Sequence, residues 1–144
     1  PYLIIDSEMI NTLIHTAKKG VDVRIIMPGI ADKKIIHDIG ESYYAGLIQG
    51  GVKIYEYEPG FVHSKVFISD DICATVGTIN LDYRSLYLHF ENGTLLYKCR
   101  RIEDIKQNFE DTLKECKQMT TQSTRVHTCK DFFLSIIRIF SPLL

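Results

Sequence analysis

Residues 61–80 read FVHSKVFISDDICATVGTIN. His63 and Lys65 stand two apart in an otherwise apolar run; Asp70 follows, and after Gly77 come Thr78 and Asn80, again two apart. In an extended segment side chains at i and i+2 share a face, so the imidazole and the ammonium project together. Asp70 breaks that parity at the segment's end and is expected to serve the turn more than the chemistry. Gly77 permits close backbone approach where the next strand begins. An imidazole, an ammonium, a hydroxyl and an amide gathered in one place suit a phosphodiester. The imidazole nitrogen can attack phosphorus and divide one hard displacement into two. Lys65 and Asn80 can hold the non-bridging oxygens as charge grows on them. Thr78 either joins them at the phosphate or caps the strand. Glu91, on the following strand, is placed to accept from one ring nitrogen of His63, leaving the other free to act. No carboxylate cluster fit for Mg²⁺ accompanies the set, so neither metal nor cofactor is expected at it.

The elements that must position these groups follow from periodicity and breakers. Asp6 or Ser7 caps a helix through SEMINTLIHTAKK, where Ile10, Leu13, Ile14 and Ala17 recur at helical spacing and Gly20 stops the run. VDVRIIMP alternates and is β-branched, a strand ending at Pro28-Gly29. ADKKIIHDIGESYYAGLIQ reads as a helix interrupted by Gly40 and Gly46, with Tyr43 and Tyr44 on its core side and His37 an exposed helix residue. Strands VKIYEY, HSKVFIS, ICATVG and HFENGTLLY follow, with turns at Gly50-Gly51, Pro59-Gly60 and Asp70-Asp71. A helix from about Ile102 to Lys117 closes the unit. Helices alternating with strands, then strands in quick succession, predict an α/β fold: a mixed β-sheet flanked by helices on both faces.

Length and composition narrow the function classes. A chain of 144 residues suits one domain with a real core. Its net charge of -1 shows none of the basic surplus that phosphate-tracking nucleic-acid binders carry, so no nucleic-acid partner is expected. Cys73, Cys99, Cys116 and Cys129 form no metal-ligand pattern and no disulfide framework. No stretch reaches the roughly 20 apolar residues that span a bilayer. The chain opens on Pro1 in PYLIID, as a segment cut from a longer protein would.

His63, Lys65, Asp70, Gly77, Thr78 and Asn80 reproduce HxKxxxxDx6G[ST]xN, and on these residues the chain resembles the phospholipase D superfamily. GVDVRIIMPG, GGVKIYEYEPGFVHSKVFISDD, VGTINLDYRS and the terminal SPLL are similar to the second catalytic half of bacterial cardiolipin synthases, over most of residues 1–118. The resemblance implies a phospholipase D-like sheet between helices, a phosphohistidine intermediate, and transfer of a phosphatidyl group between two phosphatidylglycerol molecules with release of glycerol. It implies His63, Lys65, Asp70, Asn80 and Glu91 as catalytic residues, with His63, Lys65, Thr78 and Asn80 on the phosphate. Such sites are built from two motifs, and this chain carries one. The partner would be an N-terminal motif of the same protein or a homodimer mate, and the full-length protein would work at the cell membrane, on its cytoplasmic face, with this segment soluble. Within the superfamily, a hydrolase using water as acceptor and a nuclease are the alternatives; a non-catalytic dimerisation half is another.

Residues 1–119 are thus expected to form the catalytic domain and 120–144 a polar linker with a short apolar helix. On that helix Phe132, Phe133, Ile136, Ile137 and Phe140 oppose Asp131, Ser135 and Arg138. Its polar side carries little basic charge, which favours docking on the domain's own core over a membrane surface. Arg84 could bind a headgroup phosphate or pair with Asp82 or a neighbouring carboxylate.

Overall fold

Asp6 caps the first helix as its sequence position suggests: its carboxylate accepts from the Met9 N–H at 2.7 Å, satisfying one of the orphan donors of the first turn. The computed structural model describes residues 2–123, 134 and 136–138. Strand β1 (Leu3–Ile4) leads into α1 (Ser7–Lys18), and Gly20, at φ +94, ends it in the left-handed region where glycine is at home. Strand β2 (Arg24–Pro28) runs parallel to β3 (Lys53–Tyr57) over five residue pairs, and the crossover between them carries α2 (Lys34–Glu41) and α3 (Tyr44–Gln49). The interruption between these helices lies at Ser42-Tyr43, where the Ser42 hydroxyl donates to the Ile39 carbonyl at 2.6 Å. Gly40 and Gly46, expected to break the helix, sit inside the two helices instead.

The second half is antiparallel. Strand β4 (Val66–Ser69) pairs with β5 (Cys73–Gly77), which pairs with β7 (Gly93–Tyr97). Asp70 and Asp71, at φ 51 and 59, turn the β4–β5 hairpin, which the Ile72 N–H closes by donating to the Ser69 carbonyl at 3.0 Å. Aspartate tolerates this left-handed backbone. Strand β6 (Leu81–Asp82) leaves this sheet to pair in parallel with β1, Leu3 opposite Leu81. A π-helical turn (Arg84–Leu88) follows, which the sequence did not foretell. Helix α4 (Arg101–Lys114) and β8 (Cys116–Gln118), antiparallel to β3, complete the described elements. The α/β class with mixed parallel and antiparallel pairing is therefore as expected, with the strands hydrogen-bonded in three groups, β1–β6, β2–β3–β8 and β4–β5–β7.

The core gathers Leu3, Ile4 and Ile5 with Met27, Ile39, Leu47, Val52 and Ile54, and Tyr43 and Tyr44 are buried among them. Apolar burial of this kind is the main favourable term in folding, about 25 cal/mol per Å². Of the C-terminal segment, Leu134 is buried in this same core, Ile137 packs against it and the Arg138 guanidinium lies 4.0 Å from the Tyr43 ring centre. Asp131, Phe132, Phe133, Ser135, Phe140, His127 and Cys129 fall outside the described residues. Among the described residues no helix is long and apolar enough to cross a membrane.

Candidate active site

Strand β4 starts at Val66, so His63 and Lys65 lie in the irregular segment before it rather than on the strand. They converge all the same. Lys65 Nζ is 3.0 Å from each imidazole nitrogen of His63 and donates to the His63 carbonyl at 2.8 Å. The lysine thus folds back over the ring, and the Phe61 ring flanks the same imidazole at 5.6 Å between centroids. Phe61, His63 and Lys65 are thus successive members of one i, i+2 row. The segment is anchored by the Gly77 N–H, which donates to the Lys65 carbonyl at 3.2 Å.

Gly77 is required by packing. A Cβ at this position would stand 2.2 Å from the Asn92 carbonyl oxygen and 2.6 Å from Gly93 Cα. The bare backbone lets β5 and the start of β7 close on each other, so that the Thr78 N–H reaches the Asn92 carbonyl at 2.9 Å. Thr78 Oγ1 accepts from the Asn92 N–H at 3.0 Å and donates to Glu91. Two residues on, Asn80 is held by the pairing of Leu81 with Leu3 in the core. Its Oδ1 is buried and lacks a hydrogen-bond partner.

One cavity of about 440 Å³ is lined by His63, Ser64, Lys65, Val66, Val76, Gly77, Thr78 and Asn80. Four of the polar groups singled out by spacing, His63, Lys65, Thr78 and Asn80, therefore share a single space. Burial lowers the Lys65 pKa, while the carboxylates of Glu91 and Asp82 pull it back up.

Asp70 takes the turn role its parity predicts rather than the catalytic one the resemblance implies, and the bond expected of Glu91 differs. Asp70 sits in the turn beyond the far end of β4, a strand that carries the chain about 13 Å from Lys65 at roughly 3.3 Å per residue, and accepts from the Ser69 hydroxyl at 3.2 Å. It shapes the hairpin and does not reach the cavity. Glu91 was expected on a strand with a hydrogen bond to His63. It precedes β7, which starts only at Gly93, and its carboxylate accepts from Thr78. That bond and one from Ser85 hold its pKa below the usual carboxylate range, with His89 and Lys65 adding attraction. The strand starts late because the tight approach at Gly77 puts Asn92 beside Thr78, and this turns residue 91 toward the threonine. Thr78 in turn has its one proton committed to Glu91, so it braces the 89–92 segment. Arg84 donates to His89 Nε2 from Nε at 3.3 Å, with its NH2 group 3.1 Å from the same nitrogen; Asp82, one of the partners considered for it, instead accepts at Oδ1 from the Ser85 N–H at 2.7 Å.

The model of a family described as cardiolipin synthase, phospholipase D-like domain, matches residues 1–113. The chain belongs to this family. It is 39% identical to cardiolipin synthase 1 of Bacillus cereus and 38% identical to a cardiolipin synthase of Clostridium perfringens, in each case over 100% of this chain and 28% or 30% of the relative. An uncharacterised protein of Streptococcus mutans is 50% identical, over 100% of this chain and 32% of its own length. The chain thus spans about a third or less of the curated relatives it matches. In fold it is similar to the crystal structure of a phospholipase D family member, Nuc from Salmonella typhimurium, with a TM-score of 0.68, 18% identity, and coverage of 82% of this chain and 77% of that one. The phospholipase D-like fold and the cardiolipin synthase family are therefore shown for this chain.

Proposed function

We propose that this chain is one catalytic half of a cardiolipin synthase and that His63, Lys65 and Asn80 act on the phosphodiester of phosphatidylglycerol. The observation that carries the reading is the shared cavity, in which Lys65 Nζ stands 3.0 Å from the imidazole and the Asn80 amide, its oxygen unpartnered, lines the same space. In the first step an imidazole nitrogen forms a bond to phosphorus and the bond to the glycerol oxygen breaks. The departing oxygen takes a proton from a general acid. In the second step the primary hydroxyl of another phosphatidylglycerol attacks phosphorus and gives its proton to that same group, now a base. The phosphorus–nitrogen bond breaks, and the products are cardiolipin and glycerol. Atoms and protons balance across the two steps, and no electron changes hands.

Two groups that ionise in opposite directions are needed, and His63 supplies one of them. The other is a histidine of a second motif, from another segment of the same protein or from a second copy. Lys65 and Asn80 hold the non-bridging oxygens in either arrangement. Thr78 and Glu91 are positioning residues that set the 89–92 segment against the cavity. Phe90, beside Glu91 in sequence and fully exposed, and the exposed Tyr87 and Leu88 are an apolar stretch of surface, suited to a lipid acyl chain at a membrane surface or to the second half.

The test is product analysis. Vesicles of phosphatidylglycerol incubated with the complete protein should yield cardiolipin and glycerol in equal amounts. Phosphatidic acid in place of cardiolipin would make water the acceptor and the protein a hydrolase. Formation of neither lipid would refute the reading.

A further inference from the structure

Outside the cavity that holds His63, a second polar cluster lies between α2 and the C-terminal end of β3. His37 and Glu41 stand one turn apart on α2, and Glu56 comes from β3. The His37 side chain is only 15% exposed, which corrects the expectation of a solvent-facing helix histidine, and its Nε2 lies 3.5 Å from Glu41 Oε1. One ligand-capable atom from each of the three residues falls within 4.8 Å of the other two. The ends of parallel strands, where α2 starts its crossover, are where α/β folds commonly bind ligands.

A second observation points to a missing partner. Tyr44 is 1% exposed, and its hydroxyl has no hydrogen-bond partner. Glu56 Oε1 is also buried and unpartnered. The hydroxyl lies beside these carboxylates: burial first, then the charges of Glu56 and Glu41, then a close contact with Glu56 push its pKa far up. Tyr44 and Glu56 thus touch, yet neither the hydroxyl nor Oε1 reaches a well-formed hydrogen bond. Lys117 stands opposite Glu56 across the β3–β8 ladder, and among the described residues no ion pair joins them. Buried polar atoms are almost always satisfied, and an unpartnered hydroxyl and an unpartnered oxygen of Glu56, together with His37 and Glu41, mark a place built for something further.

We propose that His37, Glu41 and Glu56 form a site for a divalent transition metal of the Zn²⁺ class, with the Tyr44 hydroxyl supporting the Glu56 carboxylate. One imidazole nitrogen and two carboxylate oxygens are a donor set that Zn²⁺ accepts, and two carboxylates balance its charge. Zinc–ligand bonds of roughly 2.0–2.2 Å place tetrahedral donor atoms about 3.3 Å apart. The His37–Glu41 pair at 3.5 Å is near that already, and rotation of a glutamate side chain closes the remainder. The fourth position is left for water. The ion would clip α2 to β3, so its role is structural.

The test treats the whole chain with a chelator and then titrates it with ZnCl₂, following binding by calorimetry and stability by thermal melting. One equivalent of Zn²⁺ is expected to bind and to raise Tm, and His37→Gln and Glu56→Gln are each expected to abolish both effects. Tyr44→Phe keeps the ring in the core and should weaken Zn²⁺ binding by about 10–100-fold, whereas substitution of exposed His15 by Gln should change nothing. If Glu56→Gln fails to fold, Glu41→Gln, whose side chain is 40% exposed, replaces it and is expected to abolish the same two effects. No rise of Tm with Zn²⁺ would overturn the proposal. So would one equivalent that still binds to the His37→Gln protein, because the ion would then sit elsewhere, on cysteines for example.

Discussion

Thr78 donates to Glu91 and accepts from Asn92, so its hydroxyl joins β5 to the segment ahead of β7. Replacing it by valine keeps the shape and deletes both bonds. Thr78→Val is expected to cost about 1 kcal/mol of stability and to lower activity, while Thr78→Ser restores both; urea unfolding and product formation by the same preparations check this. The residue types and their spacing were legible because the motif is local in sequence. Which hydroxyl Glu91 bonds was not, since that depends on where β7 begins. The return of Arg84 onto His89 was hidden for the same reason: it is set by irregular backbone whose direction no periodicity encodes.

Among the elements, the β5–β7 approach is the most exacting. A methyl group at residue 77 would meet the Asn92 carbonyl oxygen at 2.2 Å, and this is backbone, which cannot turn aside. Gly77→Ala is therefore expected to destabilise by about 1–3 kcal/mol as an overpacking change, and denaturant titration reads it directly. The β2–β3 pair depends partly on charge. Asp22 receives Arg24 at 2.6 Å and Lys53 at 2.8 Å, and these partners, Arg24 foremost, hold its carboxyl at about 2 against an ordinary 3.8. The contribution is complete above the ordinary value and is lost as pH falls through about 2. Asp22 is 41% exposed, so screening keeps the effect small. Asp22→Asn should lower Tm slightly at pH 7, flatten the stability profile between pH 4 and about 2, and match the wild type below that, as acid titration of Tm would show. The longer strands and the α1 cap followed from alternation and from Asp6, whereas β6, β8 (its first residues expected as the end of the last helix) and the helix break at Ser42 did not; Gly40 and Gly46 are tolerated where packing holds the helices. Gly40 lies against Leu3 in this way, a Cβ there falling 3.6 Å from the Leu3 carbonyl oxygen.

For the molecule as a whole, the core and the groups proposed as catalytic are joined through β1. Its pairing with β6 ties Asn80 to the same apolar centre that buries Leu47 and Ile54. Leu47→Ala removes a fully buried side chain there and should cost about 2–5 kcal/mol, measurable by thermal or urea unfolding. The α/β class was legible from the order of elements. The approach of Glu56 to His37 was not, since it joins a strand to a crossover helix through tertiary packing. Because catalysis as proposed needs a second motif, the decisive measurement is made on the complete protein with phosphatidylglycerol vesicles, comparing wild type with His63→Ala. The variant is expected to fold, and its rate of cardiolipin formation to fall by at least about a thousandfold. A folded His63→Ala protein that makes cardiolipin at the wild-type rate would remove the imidazole from the chemistry and contradict the proposed mechanism.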